Sequence, residues 1–229
     1  MAKRGYSDNE PRIPKGWVLA NVEQWPINTM HGPGPSPANW RFETYGNVKN
    51  PLSLTYDEFV KLPFITKKLD HHCIDGWSYL GHEWTGVDME TIIQMTEPTD
   101  EVKFIHTEGE RGYSSTFPVE QELLLAYKRF GKVLPRAGGY PVRLVAPGEF
   151  GYKSVKWVER VKFISDWEYD FWDKKLIGWG LPPIDPKLNP WNVDNAERKA
   201  GLRQLFIHLT EDHRREKIAL YRKRLEASQ

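Results

Sequence analysis

Polar and apolar residues alternate from position 41 to 48, so the run beginning Arg41-Phe42-Glu43-Thr44-Tyr45 reads as a half-buried strand. Thr55 to Leu62 reads as a short helix, with Thr55 as its cap and Glu58 three positions on completing a capping box. A strand is expected from Ile65 toward Cys73 and a helix over Val87 to Met95. Val102 to His106 reads as a strand, and Val119 to Phe130 as a helix that Gly131 ends. Further strands are expected near Val142 to Ala146 and Val155 to Ile164. Short strands and short helices thus follow one another without a regular strand–helix alternation, which predicts an α+β fold rather than a doubly wound sheet.

Proline and glycine punctuate this pattern at both ends. The run from Trp25 to Pro37 is dense in both residues, and its aromatic ends suggest an irregular loop laid over a domain. A second irregular cover contains Leu181-Pro182-Pro183-Ile184-Asp185-Pro186 and Asn189-Pro190-Trp191. We expect three parts: a flexible lead-in over residues 1–15, one folded domain over 16–193, and a charged helical tail over 194–229. In that tail Leu202, Leu205, Phe206 and Leu209 suit one helical face, whereas Thr210 to Lys217 has no apolar residue. From Glu197 to the end, nine basic residues face five acidic ones, a balance expected of a solvated helix or of a docking end for an acidic partner.

Composition narrows the functional classes. Over 229 residues, 32 basic and 31 acidic side chains leave a formal charge of +1, which supplies no general field for nucleic acid. Ten tryptophans, ten tyrosines and ten phenylalanines supply core and pocket walls and argue against disorder throughout. No stretch approaches the roughly 18 uninterrupted apolar residues of a membrane span. The polar start lacks the apolar segment of a secretory signal, and with a single cysteine the expectation is a soluble cytoplasmic protein.

That cysteine, Cys73, lies in His71-His72-Cys73-Ile74-Asp75-Gly76-Trp77-Ser78. One cysteine forms no internal disulfide and builds no zinc or iron–sulfur site by itself. It suits a metal whose other ligands come from a cofactor, although a free cysteine is by default a small buried hydrophobe. A second segment, Gly139 to Trp157, sets Arg143, Lys153, Ser154 and Lys156 beside apolar strand residues. From Lys153 to Trp157 a period of two puts Lys153, Val155 and Trp157 on one side and Ser154 and Lys156 on the other. A charged edge strand would look the same; the alternative is an anion pocket, in which a guanidinium, ammonium groups and a hydroxyl suit a phosphate.

Over roughly Trp25 to Arg198 the chain resembles the sulfite-oxidase-like molybdopterin oxidoreductases. The resemblance rests on His31-Gly32, Trp40 through Gly46, Asn50-Pro51 with Leu54-Thr55, and Asp70 through Val87. It continues in Gly112-Tyr113 to Pro118, Leu124 to Tyr127, Pro141 through Pro147, Gly151 through Trp157, Phe171-Trp172 and Asn189-Pro190-Trp191, in matching order and spacing. It implies a molybdopterin-binding fold of mixed, mainly β sheets with short helices. It also implies one molybdenum held by the dithiolene of a single pterin cofactor and by the thiolate of Cys73, a soft donor suited to such a centre. By motif position, Arg143, Lys153, Ser154 and Lys156 would hold the cofactor, with His31 and His72 near the pterin. Two positions depart from the family pattern. Gly138-Gly139 stands where many relatives carry histidine before the glycine, and Thr29-Met30-His31 lacks the arginine of the sulfite-binding loop. Sulfite is therefore not implied as the substrate.

The activity so implied is oxygen-atom transfer to or from a small sulfur or nitrogen compound. Covalent haem attachment through Cys-x-x-Cys-His needs two cysteines, so electrons would pass through a separate redox protein, a haem protein being one candidate. Trp77, Tyr113, Tyr152 and Trp172 are candidate funnel walls, and Arg41 and Arg111 candidate anion contacts. Two other classes compete: a cofactor-free thiol enzyme with Cys73 as nucleophile and His71 or His72 as base, and a non-catalytic binding module that keeps the fold.

Overall fold

A computed structural model describes residues 12–13, 18–20, 37–73 and 77–178. In chain order its strands and helices are β1 (Val18–Leu19), β2 (Arg41–Gly46), β3 (Ser53–Thr55), α1 (Tyr56–Phe59), β4 (Ile65–Cys73), β5 (Trp77–Asp88), α2 (Met89–Thr96), β6 (Phe104–Gly109) and β7 (Ser114–Pro118). They continue as β8 (Leu124–Arg129), β9 (Lys132–Val133), β10 (Arg143–Val145), β11 (Val158–Ile164) and α3 (Phe171–Gly178). The mainly β, α+β architecture expected from the sequence is present. His31, the lead-in apart from Arg12 and Ile13, and the charged tail lie outside the described residues.

Two sheets make the fold. In the first, β5 is the spine: it pairs with β4 from Trp77 to Gly86, with β8 from Trp84 to Asp88, and with β1 in parallel at Trp77 and Ser78. β10 and β9 then pair with β8. The second sheet has the order β3-β2-β11-β6-β7, with β2 and β11 parallel. Phe42, Ile105, Phe117, Val161 and Phe163 from the second sheet form one core with Val87, Leu125, Tyr127 and Leu144 from the first, closed by Phe59 of α1 and Met89 and Ile92 of α2. A smaller cluster of Trp84, Leu124, Ala126, Leu134 and Val145 covers the other face of the first sheet.

Local chemistry explains the elements that match expectation. The Thr55 hydroxyl accepts from the Glu58 amide, and the Glu58 carboxylate accepts from the Thr55 amide at 2.8 Å, so the capping box starts α1 as read. Asp88 caps α2, which begins at Met89 because Val87 and Asp88 still belong to β5.

Two expectations are corrected. The segment read as a helix from Val119 to Phe130 is a turn followed by β8. Leu123 to Tyr127 is buried on both sheet faces, so its apolar run lacks the alternation that marks a half-buried strand. Gly131 accordingly ends no helix but sits in the β8–β9 turn. The segment from Lys153 to Trp157 is likewise no edge strand. Gly151–Lys153 is a 3-10 turn, Lys153, Ser154, Val155 and Trp157 are buried, and Trp157 at φ 56° delays β11 to Val158.

Candidate molybdopterin-binding site

Cys73 ends β4 and lies directly across the ladder from Trp77. Alternation along β4 sends Cys73 and His71 to one face and His72 to the other. His72 is buried there, with Nδ1 2.8 Å from the Ser78 hydroxyl. Burial pushes its pKa down to about 4, further lowered by Arg12 and opposed by Asp70, so it is neutral at pH 7. A parallel bridge from His72 to Phe150 brings the Gly151–Lys153 turn alongside the end of β4. Gly151 is needed at that approach: a Cβ built on it would lie 2.4 Å from Nε2 of His71. His71 titrates well below the ordinary histidine range, first through burial and then through Arg143, His82, His72 and Lys156.

Those causes describe a positive field on the outer face of the first sheet. Arg143, on β10, is 4% exposed, lies 5.2 Å over the Trp84 ring and donates through Nη1 to the Gly138 carbonyl at 3.0 Å. Its pKa falls to about 10, mainly through burial and then through Arg129; it stays charged at neutral pH. Lys156 donates to the Ala137 carbonyl at 2.9 Å, so both cations are held by the 3-10 turn Arg136–Gly138. Behind them Arg129 donates through Nε to Nδ1 of the buried His82 at 3.3 Å. His82 is driven down to about 4 by burial, Arg129 and Arg143, against Asp70.

Lys153 and Ser154 are placed differently. The Lys153 ammonium is 5% exposed and pairs with Asp170, itself 1% exposed, at 2.5 Å, against the rings of Phe117, Tyr152 and Trp167. Asp170 also accepts from the amides of Trp172 and Asp173 at the start of α3. The Ser154 hydroxyl accepts from the Ala146 amide at 3.4 Å. On the same side, the Tyr113 hydroxyl donates to the Tyr152 carbonyl at 2.5 Å and accepts from Nε1 of Trp172 at 2.9 Å, while its ring stacks on Phe171. Burial raises the Tyr113 pKa; Trp172 and Arg143 oppose that rise, while Asp170 and Cys73 reinforce it. Of the candidate wall residues, Tyr113, Tyr152 and Trp172 come together, and Trp77 flanks Cys73 from β5. Arg41 is spent on Ser53 at the β2–β3 edge. Arg111 is exposed in the turn before Tyr113, with φ at 64°.

Sequence reasoning assigned no role to Asp170, His82 or Arg129 and named His71 only as a base for a thiol. Parity from Cys73 along β4 was the available signal for His71. Asp170, His82 and Arg129 meet their partners across large sequence separations, and no local pattern marks them.

The donor set fits an anionic, sulfur-chelated cofactor. One half-buried thiol shares its sheet face with a neutral imidazole that lies in the field of the buried Arg143 and the half-buried Lys156, and the buried carboxylate of Asp170 is paired with Lys153. Among the described residues no group of three His, Cys, Asp or Glu side chains forms a metal site. A metal at Cys73 would take its further ligands from a cofactor.

Known proteins share parts of this sequence and fold. The model of the oxidoreductase molybdopterin binding domain matches residues 31–172. YuiH, an uncharacterised oxidoreductase of Bacillus subtilis, is 30% identical over 139 residues, covering 59% of this chain and 70% of that protein. The catalytic subunit MsrP of the protein-methionine-sulfoxide reductase of Campylobacter jejuni is 26% identical over 159 residues, 59% of this chain and 52% of that one. Among solved structures, the sulfane dehydrogenase SoxCD of Paracoccus pantotrophus superposes with a TM-score of 0.54 at 25% identity, over 59% of this chain and 41% of that one. The chain thus spans about half the length of MsrP and less of SoxCD.

Proposed function

Because this chain belongs to the oxidoreductase molybdopterin binding domain family, whose model spans well over half of it, we propose that it transfers an oxygen atom at a small sulfur compound, with sulfoxide reduction as the working direction. The observation that carries this reading is the convergence of Cys73 with Arg143, Lys156 and His71 on one face of the first sheet. The MsrP relatives support a sulfoxide as the substrate class.

When bound, the cofactor's molybdenum supplies the two-electron oxygen-atom transfer. Cys73 is its protein ligand. Arg143 and Lys156, fixed by carbonyls of the Arg136–Gly138 turn, hold the anionic part of the pterin and pay no reorganisation on binding it. Lys153 and Ser154 keep the shape of the turn beside Cys73, and His72 braces β4 from behind through Ser78. His71, neutral at pH 7, offers the pterin a hydrogen bond without adding charge. His31 is a further candidate pterin contact. Tyr113, Trp172 and Phe171 form an apolar wall that excludes water from the sulfur of the substrate. The reaction consumes one sulfoxide, two electrons and two protons and yields sulfide and water, with the electrons supplied by a separate redox protein.

Protein made in a cofactor-competent host is expected to carry molybdenum and pterin and to reduce methionine sulfoxide with reduced viologen. Cys73→Ser should keep pterin fluorescence while losing turnover. Wild-type protein without either component, or a Cys73→Ser variant with full activity, would overturn the reading. Sulfite oxidation with ferricyanide in place of sulfoxide reduction would reverse the direction.

A further inference from the structure

The β8–β9 hairpin holds an unusual residue at its tip. Arg129 pairs with Lys132, so Phe130 and Gly131 form a two-residue loop with φ at 48° and 69°. Both angles are left-handed, as in a type I′ turn, where Asn, Asp or Gly is favoured at the first position and a bulky aromatic is not. Phe130 is nonetheless 44% exposed and its neighbour Val133 is 52% exposed. Lys128, Arg129, Lys132 and Arg136 are its basic neighbours along the chain, with Arg129 and Lys132 paired on one face of the hairpin and Lys128 and Val133 on the other; no acidic residue occurs from 128 to 136, while the Phe130 amide donates to the Glu83 carbonyl of β5. An unfavourable conformation kept for an exposed ring points to a use for the ring.

The ring also ends a file of packed side chains that begins beside Cys73. Trp77, across the ladder from Cys73, contacts Tyr79 with centroids 5.1 Å apart. Tyr79 stacks on His82 at 4.6 Å, and His82 meets Phe130 at 5.5 Å. The Arg129 guanidinium lies 4.8 Å over Phe130. Electron tunnelling weakens steeply with distance and more gently through packed groups than across open space, so such a file links the hairpin tip to the Cys73 end of β5.

We propose that the hairpin Lys128–Val133 is the docking surface for an acidic haem protein that exchanges electrons with the site through this file. This rests on the oxidoreductase reading above. Each encounter oxidises one haem iron by one electron. Two encounters supply the pair that, with two solvent protons, turns a sulfoxide into sulfide and water. The basic residues flanking the tip steer the acidic partner, and the Phe130 ring forms the apolar centre of the contact.

The test uses the full chain loaded with cofactor and the acidic soluble domain of cytochrome b5 as probe. Calorimetric titration should show association that weakens as salt is added. Reversal of two charges in Lys128→Glu/Lys132→Glu should weaken it by about tenfold or more, whereas Lys103→Glu on the second sheet should not. Phe130→Asn, which suits the turn, should keep the fold and slow oxidation of the reduced cytochrome by about tenfold, while viologen-driven turnover stays unchanged. The docking proposal is overturned if wild-type chain does not bind the probe, if the hairpin variants bind it as wild type does, or if Lys103→Glu weakens it equally. It is also overturned if those variants lose only binding to phosphatidylserine vesicles, which would make the hairpin a membrane contact. Failure of the functional reading is separate: viologen-driven turnover would be absent from wild type, while the titration still decides the docking surface.

Discussion

Gly151 matters for the side chain it lacks. A Cβ there would sit 2.4 Å from His71 Nε2, so Gly151→Ala must push the imidazole and the turn apart. We expect a loss of about 1–3 kcal/mol in urea unfolding, as for other overpacked sites, and a larger fall in molybdenum per chain than Gly178→Ala produces, since nothing lies within 4 Å of a Cβ there and its φ is not left-handed. His82 makes a prediction about pH. Its native pKa of about 4 lies below the ordinary 6.5, so between those values the unfolded chain holds a proton that the native chain does not. Its contribution is complete above pH 6.5 and is lost as the pH falls toward 4, by about 3 kcal/mol at about 1.4 kcal/mol per pH unit. Thermal unfolding of wild type should show this slope, and His82→Gln should remove one proton's worth of it. At this scale the candidate site could be read from the sequence where residues stand in short motifs, as with Cys73, Arg143 and Lys156, whose roles belong to the proposal. It was not legible where the decisive fact is a partner far along the chain, as for Arg129 and His82, 47 residues apart.

β8 shows why an element can be misread when its neighbours are unknown. Leu123, Leu125 and Tyr127 face the core between the sheets while Leu124 and Ala126 face the cluster around Trp84, so five successive apolar residues carry no period. β4 and β2 were legible because one of their faces stays partly open and alternation survives. β5, the longest strand, went unassigned because its buried polar and glycine positions, among them Ser78, His82 and Gly86, break any simple pattern. Burial of β8 on two faces has a measurable consequence: Leu124→Ala and Leu125→Ala should each cost about 2–5 kcal/mol in urea unfolding. A solvated second face would leave one of them nearly silent.

At the scale of the whole molecule, the site is assembled from parts that no single element could hold together. Cys73, His71 and Arg143 come from the first sheet, Tyr113 from the connection between β6 and β7 in the second, and Trp172 from α3. The Lys153–Asp170 pair ties the turn beside Cys73 to the start of α3, because Asp170 also receives the amides of Trp172 and Asp173. Neither partner is exposed, so removing one charge strands the other in a medium that solvates it poorly. Asp170→Asn keeps an oxygen for those amides but leaves the Lys153 ammonium unpaired. It should cost roughly 3–5 kcal/mol and lower molybdenum per chain as the turn loosens. Lys153→Met in the same chain removes the stranded charge and should restore most of the stability, since an apolar replacement of a buried pair is often neutral. Molybdenum content then decides what the ammonium does. Its return in the double variant makes Lys153 a brace for the turn, whereas stability regained without molybdenum makes that ammonium a contact of the cofactor itself.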